Sequence, residues 1–282
     1  MIYRIRNECL EVKIDSMGAE PKSMIAGGRE LFFQNTGTVP GLKISPVLFP
    51  VIGNFPNDEY LVYGEPFPIM CHGFVSSSEF SVSLVKDDSI LFKLCSDNKT
   101  LSFYPFDFDL SVLYTLNHNT LTTEFSVRNR SERTMPFAVG SHTAYALDFG
   151  VPPYYLRFEK FEHKSCYSVI GNDKLINEEK LMDGDMLELK EEFFISGAQT
   201  FSSLESKRVY LEDSTGKTGV CVDIGKFHYL TLWKRPKQPF ICIEPWSCES
   251  AHYTKTRRLE EQKDIIMLPP GREYSLNYSI TA

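Results

Sequence analysis

Residues 107–128 read DFDLSVLYTLNHNTLTTEFSVR, and this stretch decides the fold class. Apolar and polar residues alternate on both sides of Asn117-His118-Asn119, a run of turn-forming residues. Alternation with a period of two on either side of a turn is typical of paired antiparallel strands with one buried face. The stretch therefore predicts a β-hairpin.

The same pattern recurs along the chain. Hairpins are predicted over residues 79–95 and 208–224, and the alternating segment 272–280 predicts a closing strand. Long amphipathic helices are missing from the pattern, and the polar stretch 249–263 predicts an excursion with one helical turn. Regularly spaced strands with few short helices indicate an all-β fold, a large antiparallel β-sandwich. Because no linker-like segment interrupts it, we expect a single domain over residues 1–282.

Composition and charge narrow the class of protein. The formal net charge is −7 and the charges are interspersed, whereas nucleic-acid binders carry concentrated positive charge. Two short basic runs, 234–237 and 255–258, are interpreted as solvated loop charges. The charged, alternating N-terminus lacks the apolar run of a signal peptide, and no segment is long enough to cross a bilayer. Seven scattered cysteines suggest no disulfide framework. We expect a cytoplasmic protein, monomer or homodimer, without nucleic-acid or membrane partners.

Glu244 is the first candidate for chemistry. It follows Phe240-Ile241-Cys242-Ile243, a run typical of a strand buried on both faces, and it precedes Pro245 and Trp246. A carboxylate there is costly unless it is paired, hydrogen-bonded or open to a cleft. An acid at a strand end beside Trp246 fits a sugar site, although a Glu satisfied by backbone or by an Arg explains this segment equally well.

Two histidines stand next to glycines. His142 follows Gly140-Ser141, and His72 precedes Gly73, which allows close approach of backbone or ligand. Taken alone, each fits a hydrogen-bonded structural histidine better than a catalytic one. The remaining four are interpreted as surface or structural: His118, His163, His228 and His252.

The sequence lacks the residue spacing that other kinds of site require. Cys242, Cys248 and His252 do not form a usual zinc arrangement, so no metal is expected. The nucleophile elbow of serine hydrolases and the glycine-rich phosphate loops are missing. A glycosidase needs two carboxylates across the sugar, and only Glu244 is a strong candidate.

At these segments the chain resembles the aldose 1-epimerase (galactose mutarotase-like) family, especially its compact bacterial branch. Six short motifs occur in the family's order. They are Ser45-Pro46-Val47-Leu48-Phe49-Pro50-Val51-Ile52-Gly53, His72-Gly73-Phe74, Gly140-Ser141-His142, Tyr229-Leu230 to Trp233, Glu244-Pro245-Trp246 and Leu268-Pro269-Pro270-Gly271.

The resemblance implies a β-supersandwich with a sugar cleft across one sheet and a cofactor-independent isomerase acting on an aldose. It implies that Glu244 is the general base, His142 the general acid and His72 a substrate contact. Both acid–base groups are expected to face one groove, with Trp246 or Trp233 nearby.

The chain also departs from the family pattern. Asn54 stands where an Arg usually follows the first motif, and Val75 begins a segment without the branch's usual Arg. The acidic substrate contact expected before the Tyr229 strand has only Asp223 as a weak substitute, and Thr143 replaces the usual Pro. Because Asn54 cannot supply a charge-assisted fork, phosphorylated sugars are disfavoured.

Three hypotheses follow. The first is an aldose 1-epimerase interconverting α and β anomers, with His142 and Glu244 as catalytic residues and His72, Asn54, Trp246 and Asp223 as substrate contacts. The second is a catalytically weakened carbohydrate-binding relative that acts as a sensor or accessory protein. The third is a glycosidase or lyase, which requires a second acid opposite Glu244.

Overall fold

The computed structural model describes residues 1–170, 174–253 and 256–282, so Lys255 of the second basic run lies outside them. One α-helix, α1 (Asn98–Leu101), is present in this part of the chain, with short 3-10 turns at Pro56–Asp58, Val75–Ser77, Glu191–Phe194, Ala251–Tyr253 and Leu259–Glu261. The strands are β1 (Ile2–Arg6), β2 (Leu10–Asp15), β3 (Glu20–Ala26), β4 (Arg29–Glu30), β5 (Val47–Leu48), β6 (Glu59–Val62), β7 (Glu65–Pro68), β8 (Ser81–Val85), β9 (Ser89–Cys95), β10 (Phe108–Asn117), β11 (Thr120–Asn129), β12 (Met135–Phe137), β13 (Gly140–Ser141), β14 (Thr143–Ala146), β15 (Tyr155–Ile170), β16 (Lys174–Glu188), β17 (Gln199–Ser202), β18 (Arg208–Glu212), β19 (Thr218–Asp223), β20 (Tyr229–Trp233), β21 (Phe240–Trp246), β22 (Ile266–Leu268) and β23 (Glu273–Thr281).

The predicted hairpins are confirmed. β10 pairs antiparallel with β11, β8 with β9, and β18 with β19, while β23 joins β11 and β19. Along β10 and β11 every second residue is buried, which is the alternation that the sequence shows. The polar stretch 249–263 is an excursion, and it contains two short 3-10 turns among its described residues where the sequence predicts one helical turn.

Most strands belong to one long sheet, whose order is β5-β13-β21-β20-β17-β15-β18-β19-β23-β11-β10-β9-β8, with β14 paired to β21 and β16 paired to β15. The sheet folds over on itself. Tyr278 of β23 donates a hydrogen bond to Ser141 Oγ of β13, 2.9 Å away, although six strands lie between them in the sheet order. The fold is therefore the expected all-β sandwich.

A smaller sheet of β1 to β4 packs on the far end of the long one. Tyr114 of β10 donates a hydrogen bond to the Ala19 carbonyl, 2.7 Å away, and Tyr3 of β1 makes an edge contact with Phe92 of β9. Side chains from both sheets share one continuous apolar core that extends from Ile5 to Ile280. Among the described residues, no helix is long and apolar enough to span a membrane.

The neighbouring strands β13–β14, β21 and β20 position the site. Ile241 and Ile243 of β21 point into the main core, so the alternate residues of β21 face the opposite side of the sheet. All seven residues of β21 are buried, which confirms the prediction of a strand covered on both faces. The face turned away from the core, called the cleft face below, is where Cys242, Glu244 and Trp246 emerge.

Candidate active site

Strand register places His142 beside Glu244. Gly140 pairs with Trp246 and Thr143 with Ile243, so His142 between them stands opposite Glu244 on the neighbouring strand. Such cross-strand neighbours are in side-chain contact range. His142 Nε2 lies 3.4 Å from Glu244 Oε1. The structure thus brings the two predicted catalytic residues together.

Local backbone geometry explains the glycines of these motifs. A Cβ at Gly140 would lie 2.9 Å from the Pro245 carbonyl oxygen, so only glycine lets β13 approach β21 this closely. Gly73 has a φ of +79°, and a Cβ there would lie 2.0 Å from the Phe49 carbonyl oxygen. His72 itself adopts a φ of +62°, and Gly73 lets the following chain pass against Phe49.

Burial differs sharply between the two catalytic candidates. The His142 side chain is 17% exposed and lines an open cleft of about 460 Å³, whereas Glu244 is 1% exposed and lies behind it. Glu244 Oε2 and His142 Nδ1 are buried without a hydrogen-bond partner among the described residues. An unpaired buried polar atom costs about 1–3 kcal/mol. The fold therefore retains a polar pair that it does not satisfy.

The pKa values of the pair move in opposite directions. Burial raises the pKa of Glu244 well above its usual value, and the Trp246 indole, near but outside hydrogen-bond geometry, opposes this effect. Burial also lowers the pKa of His142 to about 4. Both shifts disfavour the charged forms, so burial favours a carboxylic acid and a neutral imidazole over an ion pair.

His72 lies against this pair. Its ring centroid is 5.7 Å from that of His142 and 6.0 Å from that of Trp246. The Gly53 amide donates to His72 Nδ1 at 3.2 Å, and burial lowers the pKa of His72 to about 3. The neutral ring therefore carries its proton on Nε2, so that Nε2–H is its hydrogen-bond donor.

The remaining predicted contacts fall into two groups. Trp246 lies at the site with its indole N–H buried and unpaired in the described structure, and Asn54, which follows Gly53, has an unpaired side-chain oxygen. Asp223 does not lie at the site. It is on β19, five strands from β21, and it accepts a hydrogen bond from the Gly225 amide at 2.8 Å. Its carboxylate stabilises a turn and is not among the described residues that line the cleft, so the structure does not bring Asp223 together with the other predicted contacts.

Several residues of the region were missed or misinterpreted from sequence. Lys43 and Arg235 line the cleft, and only the position of Arg235 after the Trp233 motif could have indicated this. Lys234 is not a solvated charge. It is 8% exposed, and its ammonium donates to the Gln238 carbonyl at 2.7 Å, so that part of the interpretation is wrong. His252, interpreted as surface or structural, is half-buried and close enough to His72 to help lower its pKa.

A third donor lies beside the pair. Nitrogen, sulfur and oxygen atoms of His142, Cys242 and Glu244 lie within 4.8 Å of one another, a set that could surround a metal ion. Burial raises the pKa of Cys242 as well as that of Glu244, which favours the protonated form of both groups. A cation would have to displace these protons, which opposes metal binding.

Comparison with known proteins identifies the family of the whole chain. The family model for aldose 1-epimerase matches residues 2–281. The plasmid-encoded protein LacX of Lactococcus lactis subsp. lactis is 29% identical over 297 residues, covering 100% of this chain and 99% of LacX. A structure of a galactose mutarotase related enzyme from Lactobacillus acidophilus superposes with a TM-score of 0.91 at 30% identity, covering 100% of this chain and 97% of the other. A galactose mutarotase-like protein from Lactobacillus casei gives 0.89 at 25%, covering 100% and 99%. The chain belongs to the aldose 1-epimerase family.

Proposed function

We propose that this chain is a cofactor-independent aldose 1-epimerase that interconverts the α and β anomers of an aldose. The observation that carries the proposal is the 3.4 Å contact between His142 Nε2 and Glu244 Oε1 at an open cleft, with the second carboxyl oxygen left unpaired in the described structure. A matched acid and base held together without internal partners is what proton transfer to and from a ligand requires.

Ring opening balances with this pair alone. One member takes the proton from the C1 hydroxyl while the other gives a proton to the ring oxygen. The C1–O5 bond breaks as the C1 carbonyl forms, and no redox partner is needed. Rotation about C1–C2 and closure on the other face return both protons with the roles of the two groups reversed.

The pair needs one proton in total for either direction. The family resemblance gives Glu244 the role of base and His142 that of acid, which corresponds to a carboxylate and an imidazolium. The neutral pair favoured by burial has the same proton count and differs only in where the proton lies. Since the roles reverse between opening and closure, both arrangements are used within one turnover.

The surroundings suit a sugar. The unpaired Trp246 N–H and Glu244 Oε2 offer one donor and one acceptor, and the His72 Nε2–H offers a second donor. Sugar hydroxyls both donate and accept, so they can satisfy these groups together. Because Glu244 lies behind His142, a sugar meets the imidazole first, and contact with the carboxyl requires the covering rings to shift.

The two alternatives differ in what favours them. A sugar sensor is favoured by Asn54, which replaces a usual charged clamp, but a pure binder has no need of an unpaired acid–base pair. A glycosidase needs an acid opposite Glu244, and no second carboxylate lines the cleft in the described part of the chain.

The test follows anomer exchange at equilibrium by NMR saturation transfer across a panel of aldoses. Acceleration by the wild-type protein that is lost in His142→Ala and Glu244→Gln supports the epimerase and identifies its substrate. Sugar-induced chemical-shift changes without faster exchange for any sugar would replace the proposal by the sensor.

A further inference from the structure

Two cations lie at one end of the cleft. Lys43 and Arg235 line the same space as His72 and His142, and the described residues that line it include no aspartate or glutamate. The chain as a whole carries a formal charge of −7, so this local positive charge is opposite in sign to the net charge of the protein.

Strand register fixes where that end is. Ala144, Cys242 and Trp233 form one row across three neighbouring strands, because Ala144 pairs with Cys242 and Cys242 with Trp233. The catalytic row of His142 and Glu244 is two residues away along the strands. At about 3.4 Å per residue, the two rows are about 7 Å apart.

Both cations lie close in sequence to residues of the outer row. Ile44 extends that row, since its carbonyl accepts the Ala144 amide at 2.8 Å, and Lys43 precedes it. Trp233 is at the opposite end of this row from Ile44, and Arg235 follows Trp233 by two residues. The Trp233 ring lies 5.8 Å from that of His142, between the catalytic pair and this charged end.

The nearby carboxylates are already matched to other lysines. Glu20 Oε2 accepts from Lys22 Nζ at 2.5 Å, and Glu191 Oε1 lies 3.8 Å from Lys234 Nζ. In the described structure neither Lys43 nor Arg235 has a carboxylate within ion-pair distance.

The hydrogen bonds of the two cations leave donors for a ligand. The Lys43 ammonium donates to the Ser76 carbonyl and, at 3.1 Å, to Ser77 Oγ, so one of its three N–H donors is unused. Burial lowers the pKa of Lys43, an effect that a bound anion beside it would reverse.

We infer that the aldose carries an anionic substituent, a phosphate ester or a carboxylate, at the end of the ring remote from C1, and that Lys43 and Arg235 bind it. This rests on the proposed function, which places C1 at His142 and Glu244. A guanidinium fork and a lysine ammonium are the side chains that recognise such anions. This inference departs from the expectation, based on Asn54, that phosphorylated sugars are disfavoured, because Lys43 and Arg235 supply the cations that residue 54 lacks.

The test compares matched sugars on the intact protein. Anomer exchange is measured for glucose, glucose 6-phosphate and glucuronate, and for the corresponding galactose series. The wild type should show a KM for one anionic form about tenfold or more below that of the neutral sugar, as one charge-assisted hydrogen bond allows. The phosphate and carboxylate arms identify which anion the site takes.

Two variants locate the effect. Lys43→Met and Arg235→Gln should each reduce the preference for the anionic sugar about tenfold, mainly through KM, because the contact is made equally in ground and transition states. Lys226→Met is the matched control, since it removes one positive charge from the loop preceding β20, at the end of that strand away from Arg235. It should leave the preference within about twofold of wild type at physiological salt.

The outcomes separate this inference from the proposed function. Equal KM values for neutral and anionic sugars, with exchange intact, would overturn the inference alone. NMR titration of Glu244→Gln with the same sugars supplies a readout that needs no turnover. If no sugar is exchanged but glucose 6-phosphate binds and Arg235→Gln loses it, the epimerase falls and the anion site stands. If the anionic sugars bind no better than the neutral ones in that titration, the anion site is wrong.

Discussion

Glu20 and Glu244 are both buried carboxylates of this sandwich, and their surroundings are opposite. Glu20 is 2% exposed and accepts the Ile44 and Ser45 amides at 2.6 and 3.1 Å, besides its contact with Lys22. Glu244 is 1% exposed, has His142 at 3.4 Å, and has an oxygen without a partner in the described structure. The difference separates a carboxylate that holds loops together from one whose second oxygen the described structure leaves without a partner.

A third buried acid shows how the fold usually treats this residue type. Glu162 is 0% exposed and accepts the Ser206 and Glu205 amides at 2.6 and 3.2 Å. Burying a carboxylate is costly unless such donors surround it. Glu20 and Glu162 both follow this rule, so the exception at Glu244 is a feature of the site.

The largest effect is expected from replacing Glu244, the carboxylate of the candidate catalytic pair. Glu244→Gln should slow anomer exchange about a thousandfold, within the range of general acid–base catalysis. Because burial raises the pKa of the folded carboxyl, Glu244 contributes stability below the unfolded pKa and loses it as pH rises through the folded one. The variant should therefore unfold at the same or a higher temperature than wild type at neutral and alkaline pH. Exchange within tenfold of wild type would remove Glu244 from the mechanism.

The matched variant at Glu20 should lose stability and keep its activity. Glu20→Gln keeps one acceptor for the Ile44 amide but loses the charge that faces Lys22, at a cost of about 2 kcal/mol in the free energy of unfolding. Denaturant unfolding measures this loss. Turnover per folded molecule should stay close to wild type, and unchanged stability would contradict the structural role assigned to Glu20.

The pH dependence of kcat/KM tests whether burial controls the protonation of the His142–Glu244 pair. An exposed Glu–His pair with ordinary pKa values of 4.5 and 6.5 would hold a single proton only between those values. Here burial lowers the pKa of His142 to about 4 and raises that of Glu244, which favours the neutral pair and widens its window. We expect kcat/KM at pH 5.5 and 7.5 to agree within about twofold, whereas the exposed pair loses about tenfold over the same rise. A tenfold fall would show that burial does not govern the pair.

The sequence predicts the parts of this fold whose cause is local. The hairpins β8–β9, β10–β11 and β18–β19 follow from alternation between neighbouring residues, and the structure confirms each. The placement of His142 opposite Glu244 depends on strand register between distant segments, which no local pattern encodes. Family resemblance supplied that pairing, not the residues themselves.

The surroundings of Asp223 and Lys234 differ from the sequence-based expectation for the same physical reason. Asp223 and Lys234 were judged from their neighbours in sequence, but their environment comes from residues that the fold brings to them. Asp223 lies five strands from β21, and Lys234 is buried where Glu191 and the Gln238 carbonyl receive its ammonium. Charge type alone therefore does not separate a clamp from a turn or a buried pair.

The smallest predicted effect concerns the unpaired indole of Trp246. Its N–H is buried without a partner in the described structure, so replacing it in Trp246→Phe removes an unsatisfied donor and should leave the hydrogen-bond balance of the free protein intact. If a sugar oxygen accepts that N–H, KM should rise about threefold to fivefold with little change in kcat, the magnitude of one neutral hydrogen bond. Deoxy sugars identify the oxygen that accepts this N–H. The deoxy sugar that lacks it should bind the wild type more weakly than the parent sugar does, and Trp246→Phe should not weaken the binding of that deoxy sugar further. Equal losses for every deoxy sugar in both proteins would show that Trp246 contributes an apolar surface and that its N–H binds no sugar oxygen.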